Sequence, residues 1–344
     1  MKTFPVSLSA LGFAFVMLWG CGAPDPEGLQ AVPEPQVHIL RYDSLLFSIP
    51  QARFYQEAPR LFAQYPVPTE AYIQHVMGFP TTDSSILPRI QRLIYDRHSQ
   101  TLFKDILTRY PSLRPLEKQL SDPIRRYMFY LKVDTPPHFF TYNSFFSYAV
   151  ITYEGWVGIG LDMFLGKNYR YYPSTIRHRY LIRRREPAYI LPNVMKALFT
   201  DRFPPDSFTD YTWMSRAIYE GKMLYFLDLT LPDVDDALKI EYQPAELEWV
   251  HDNERELWTF LVSEELLFHN KPKAITPFFN EAPFTTYSGI PSDAPPRLGQ
   301  WVGWQIVRSY MERHPEVKPL DLFQDKDYRK IFQQSGYKPA TRYF

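Results

Sequence analysis

Apolar and polar positions divide the chain into four stretches. From Val6 to Gly20 nothing is more polar than serine, and one lysine precedes the run, which is the pattern of a secretory leader over residues 1–20. It is too short to span a bilayer, since a membrane-crossing helix needs roughly 20 apolar residues. The second stretch, residues 21–37, holds Pro24, Pro26, Pro33 and Pro35 with Asp25, Glu27 and Glu34. That composition predicts an extended tether with a reach on the order of 40 Å at polyproline geometry. The third, residues 38–132, repeats apolar residues at helical spacing: Phe54, Ala58, Leu61 and Phe62 within 51–64, Ile86, Ile90, Leu93 and Ile94 within 85–98, and Leu116, Leu120, Ile124 and Tyr127 within 113–131. The fourth, residues 133–344, opens on "HFFTYNSFFSYAVITYEGWVGIGL" (138–161), dense in aromatic and β-branched residues. Glu154-Gly155 separates "YAVITY" from "WVGIGL" as a hairpin turn would, and antiparallel strands are expected there. Helical spacing then returns up to the C-terminus. The whole reads as an α+β fold, mostly helical with one small antiparallel sheet, and residues 38–344 read as a single globular domain.

The longest periodic segment is "QPAELEWVHDNERELWTFLVSEELLFH" (243–269), expected to form one helix. Its stripe of Leu247, Val250, Leu257, Trp258, Leu261 and Phe268 includes Glu254 and Glu265. Two carboxylates within an apolar face are either structural ion pairs, with Arg297 or Arg308 as partners, or functional acids with raised pKa values. The ion-pair reading is favoured, because buried carboxylates usually have partners.

Charge changes the picture little. Lys and Arg number 38 and Asp and Glu 38, so nothing points to nucleic acid as a partner. The 32 prolines predict short helices with marked ends. The single cysteine, Cys21, excludes a disulfide framework. Leu18-Trp19-Gly20-Cys21 resembles a bacterial lipobox, which implies lipidation of Cys21 and a membrane anchor; two or three acyl chains are enough for stable attachment. Gly22 after the cysteine favours outer-membrane sorting within that resemblance.

Catalytic signatures are sparse. No two of His38, His75, His98, His138, His178, His251, His269 and His314 stand at zinc-peptidase spacing, and no cofactor or metal is expected. His138 and His251 are expected to be structural. Asp201, Asp206, Asp210 and Asp233 to Asp236 lack calcium-loop spacing and read as solvated loops and caps. "IRHRYLIRRRE" (176–186), with five arginines, is either a set of internal partners for carboxylates or a contact for anionic lipid or polysaccharide; the first is favoured.

Several longer blocks carry a resemblance. "GIGLDMFLGKNYRYYP", "EGKMLYFLDLTLPD", "YQPAELEWVHDNERELWTFLVSEELLF", "APFTTYSG", "WVGWQIVRSYM" and "SGYKPATRYF" resemble, in order, the recurrent blocks of the gliding-motility-associated lipoprotein GldB family, from about Ile39 to Phe344. The resemblance implies a non-enzymatic accessory lipoprotein of the cell envelope, on the periplasmic face of the outer membrane, whose partners are other gliding or secretion envelope proteins. A fainter resemblance is to the zincin peptidase scaffold, where a hairpin precedes a helix carrying two histidines and a second helix carrying Glu-Gly. Glu220-Gly221 fits the second helix, whereas Asn193, Val194, Met195, Lys196 and Ala197 supply no imidazole to the first. The alternative reading is a degenerate or unusual hydrolase, or a glycan-binding protein, that uses Glu220, Glu254 or Asp162 in a cleft near the hairpin.

Overall fold

A computed structural model describes residues 25–80, 85–205, 211–281 and 287–339. Four strands, β1 (Ile39–Leu40), β2 (His138–Tyr142), β3 (Val150–Tyr153) and β4 (Trp156–Gly160), form one sheet in the order β1-β2-β4-β3. The hairpin is as expected: β3 and β4 are antiparallel, joined by Glu154 (φ 45°) and Gly155 (φ 77°), the two positive angles that a tight hairpin turn requires. The sheet as a whole is mixed rather than antiparallel, because β2 runs parallel to both β1 and β4. Parallel neighbours need a long connection. Between β1 and β2 that connection is an entire helical layer, and residues 143–149 carry the chain from β2 to the outer edge before the hairpin returns it.

The first layer contains α1 (Tyr42–Phe47), α2 (Phe54–Gln64), α3 (Pro66–Glu70), α4 (Ile86–Ile94), α5 (Arg97–Arg109) and α6 (Arg114–Leu131). The stretch expected as one helix over 85–98 ends at Ile94, because the Asp96 carboxylate accepts from the amides of His98 (2.8 Å) and Ser99 (3.2 Å) and starts α5. After the sheet come α7 (Tyr172–Thr175), α8 (Ile190–Arg202), α9 (Trp213–Thr230), α10 (Asp236–Ile240), α11 (Pro244–Asp252), α12 (Glu254–Ser263), α13 (Pro272–Ile275), α14 (Leu298–Arg313), α15 (Pro319–Gln324) and α16 (Tyr328–Ser335). Side chains alternate across a strand. Phe140 and Tyr142 therefore join the core of Tyr42, Phe47, Phe54 and Ile90, while Phe139, Val157 and Ile159 join the larger core of α6, α8, α9 and α14. Helices cover both faces of the sheet, which is why its strands are mostly apolar.

Within the larger core, α9 and α14 meet backbone to backbone. A Cβ on Gly221 would fall 2.2 Å from the Gly303 carbonyl oxygen, and one on Gly303 would fall 1.7 Å from that of Ala217.

Two expectations are corrected here. The segment 243–269 is not one helix: α11 ends and α12 begins at Asn253 (φ −106°, ψ 11°), whose side-chain amide donates to Trp249 O at 2.8 Å, and Glu265 is left-handed at φ 54°. An asparagine side chain competes with helical hydrogen bonding in this way. Glu265 is consequently exposed, outside any apolar face. The proline-rich segment is likewise not free where it is described. Leu29 is fully buried in a 3-10 turn against α6, and Asp25 pairs with Arg126. One leucine offers enough apolar surface to dock the segment. Cys21, with residues 1–24, lies outside the described residues.

Candidate functional site

The helix α8 has two sides. Ile190, Val194, Met195, Leu198 and Phe199 are buried in the larger core, at the spacing of one helical stripe. Asn193, Lys196, Ala197, Thr200 and Asp201 instead face a cavity of about 680 Å³ whose other wall is the chain from Tyr148 to Thr152. Thr200 also lines a second cavity of about 550 Å³, shared with Arg216, Tyr219 and Glu220 of α9. The helix α9 is started by a reciprocal cap, in which Thr212 Oγ1 accepts from Ser215 N (3.2 Å) and Thr212 N donates to Ser215 Oγ (2.7 Å). A cleft thus runs from the sheet edge along α8 to Glu220.

Behind α8 lies a buried ionic cluster. Glu241, left-handed at φ 61° at the end of α10, pairs with Lys196 (2.6 Å) and Arg184 (3.1 Å). Arg184 also pairs with Glu281 (2.6 Å), and Arg297 donates to Glu241 O (3.2 Å). Burial alone would raise the Glu241 carboxyl; Lys196, Arg184 and Arg297 overcome it and hold the group at about 2. For Lys196 burial prevails, and its pKa is lowered despite Glu241. Burial also raises Glu220, against the pull of Arg216, Arg297 and Lys196, and Gln300 Nε2 donates to Glu220 Oε2 at 3.3 Å. The glycine after Glu220 has a packing role, as the contact with Gly303 shows.

The three carboxylates named from the sequence occupy different surroundings. Asp162 is fully buried just after β4, accepting from Ser144 N (2.9 Å), Ser144 Oγ (2.8 Å) and Phe146 N (2.6 Å). It clamps the 143–149 connection that makes β2 and β4 parallel, with Phe145 and Phe146 both at positive φ. Burial pushes its carboxyl up to about 6, against those three donors. Glu254, at the start of α12, accepts from the Tyr337 hydroxyl. Its expected arginine partners are engaged elsewhere: Arg308 with Asp228 and Asp236, and Arg297 with Glu281. Only Glu220 lies in the cleft.

The other candidates resolve into packing roles. His138 packs against Trp156 (4.8 Å), His251 edge-on against Trp301 (4.7 Å) and His75 against Tyr153 (4.9 Å). Asp235 caps α10, and Asp236 pairs with Arg308 and Lys239. Asp206 and Asp210 lie outside the described residues. Within the basic run, Arg183 makes a two-pronged bond to Glu246 (2.8 and 2.7 Å) and Arg184 is buried, so these two serve internal partners, while Arg177 and Arg179 are exposed. Among the described residues no group of three His, Cys, Asp or Glu side chains is placed to hold a metal ion.

A family model described as gliding motility protein GldB matches residues 26–339. The chain belongs to this family. The GldB match takes in β3, α8, α9 and every residue of the cleft, while Cys21 precedes its first residue. No curated protein and no solved structure matches the chain. The zincin likeness therefore rests on the order of hairpin, α8 and α9 alone. What sequence reading missed is the Lys196, Arg184, Glu241 and Arg297 cluster. Its one local signal is a lysine within an otherwise apolar stretch of α8.

Proposed function

We infer a role in gliding motility from membership of the GldB family. We propose that this role is that of a non-enzymatic accessory lipoprotein, anchored through a lipidated Cys21 at the periplasmic face of the outer membrane and serving both the gliding machinery and its linked secretion system. The observation that carries the reading is the family match across nearly the whole chain. The cleft supports it from the chemical side: Glu241 is tied to cations, and Glu220 accepts from the side-chain amide of Gln300. Among the described residues no helix is long and apolar enough to cross a membrane.

Docking of Asp25 and Leu29 changes the geometry of that attachment. Asp25 follows Cys21 by four positions, a reach of at most ~14 Å when fully extended. The folded part then sits close to the membrane surface rather than on the order of 40 Å away. Single-cell movement on glass after depletion of the protein tests the reading. Rescue by the wild-type gene and by Glu220→Ala, but not by Cys21→Ala, is the expected result; rescue by Cys21→Ala, or failure of a folded Glu220→Ala, overturns it.

A further inference from the structure

The sheet ends at β3, and that edge is open. Gly160 N donates to Ala149 O (2.9 Å), which fixes the alternation of the hairpin ladder. Ile151 opposite Gly158 and Tyr153 opposite Trp156 then hold the hydrogen-bonded positions. The backbone groups of Val150 and Thr152 point outward, and among the described residues none has a hydrogen-bond partner. Proteins usually guard such an edge with lysine, proline, a bulge or a covering element. The sequence Val150-Ile151-Thr152-Tyr153 has no charge and no proline, its pairing has no bulge, and its residues are only partly buried.

The cavity beside it has the shape of a missing strand. It touches five consecutive residues, Tyr148 to Thr152. Because side chains alternate between faces, a cavity meeting every residue in a row lies along the edge of the strand. The far wall is α8, with Lys196 and Asp201 five residues apart and both lining the space. On a helix that is a rise of ~7.5 Å with about 140° between the two side chains around the axis, so they mark different parts of the wall. Two side chains on one face of an extended peptide, at positions i and i+2, are ~6.8 Å apart. Lys196 spends one donor on Glu241, and an ammonium has three. Arg184 and Arg297 share Glu241 and Glu281 with it, so Lys196 is the cation of this cluster that also lines the cavity.

We propose that the β3 edge captures an extended peptide segment of another envelope protein as a fifth strand, seating an acidic side chain against Lys196 and a basic one against Asp201. The inference rests on the accessory-protein reading for the source of the peptide, and on the edge and its charges for the chemistry. Main-chain bonds to Val150 and Thr152 supply affinity, and the charge pair sets position along the strand.

The test is fluorescence anisotropy with the full-length chain in detergent and labelled heptapeptides Thr-Val-Glu-Val-Lys-Val-Thr and Thr-Val-Lys-Val-Glu-Val-Thr, one for each strand direction. One of the two binds saturably, and replacing its charges by two glutamates or two lysines weakens it at least about tenfold, the factor that 1.4 kcal/mol represents. Val150→Pro removes an outward amide at an edge position that tolerates proline and lowers affinity at least about fivefold, as loss of one hydrogen bond does. Should Val150→Pro perturb folding, N-methylation of alternate peptide amides makes the same test without touching the protein. Absence of saturable binding by either peptide at about 1 mM, where binding free energy is only about 4 kcal/mol, overturns the proposal. Binding that survives both Val150→Pro and N-methylation also overturns it. Peptide recovered intact upholds both readings; cleaved fragments uphold the docking edge and refute the non-enzymatic role, so the two fail separately.

Discussion

Replacing Gly303 by alanine drives a methyl group into the backbone of a neighbouring helix. The new Cβ falls 1.7 Å from the Ala217 carbonyl oxygen and 2.3 Å from its carbon, whereas real Cβ atoms essentially never approach within 3.0 Å of another heavy atom. A carbonyl cannot swing aside as a side chain can, so α14 moves away from α9 by more than an ångström. A gap of about 0.5–1 Å already forfeits a quarter to a half of the contact energy between facing atoms. Trp301, Val302, Trp304 and Ile306 of α14, with Ile218 and Leu224 of α9, are all buried and share the core that this separation loosens. The cost is placed at the upper end of overpacking, about 3 kcal/mol. Alanine returns about 1 kcal/mol through its better helix propensity. The net expectation is a loss of about 2 kcal/mol, read from urea unfolding of the chain without residues 1–20. Gly299→Ala is the comparison: its Cβ meets the Phe279 ring at 2.4 Å, a side chain rather than backbone, and it costs less. A Gly303→Ala protein within about 0.5 kcal/mol of wild type, the range of an ordinary surface change, refutes the backbone-contact argument.

Lys196→Met leaves the buried Glu241 carboxylate with reduced compensation and is expected to cost about 3 kcal/mol in the same unfolding assay, most of it recovered in the Lys196→Met/Glu241→Gln double variant. If the double variant is no more stable than the single, the pair does not act as a unit. Lys222 is buried beside Asp325 O and the Tyr328 ring, and burial lowers its pKa to about 7. The unfolded chain keeps that proton to about pH 10.5, so between pH 7 and 10 unfolding takes up a proton and stability rises with pH, by at most about 1.4 kcal/mol per unit. The penalty is fully present below pH 7. Lys222→Met is expected to flatten this rise in unfolding midpoints measured across pH; an unchanged slope assigns the effect to another group.

Local pattern carried most of the elements. Helices α2 and α6 lie where apolar spacing put them, and the hairpin turn sits at Glu154-Gly155. The direction of β2 against β4 was not readable, because it depends on Asp162 reaching back eighteen positions to clamp Ser144 and Phe146. Side-chain alternation says which face a residue takes, not which strand lies beside it. The break at Asn253 was missed for a related reason: the apolar period continues across it, and only the asparagine's bond to Trp249 O interrupts the backbone. Leu29 was hidden among prolines, where composition outweighed one apolar residue.

The site divides along the same line. Glu220 was legible because an acid followed by glycine stands within an apolar helix, although the glycine turns out to serve Gly303 rather than chemistry. The groups that decide what Glu220 can do were not legible, since Arg216 is one helical turn away but Lys196, Arg297 and Gln300 come from α8 and the start of α14. Long-range charge compensation has no period in sequence. The same holds for the β3 edge: its apolar, uncharged residues were read as ordinary strand, and only the strand order places them at the rim of a cavity beside Lys196 and Asp201. An acid with a cationic surround and an unguarded edge with a charged wall are both products of topology, and the second presents a surface on which another chain's backbone finds partners that this chain does not supply.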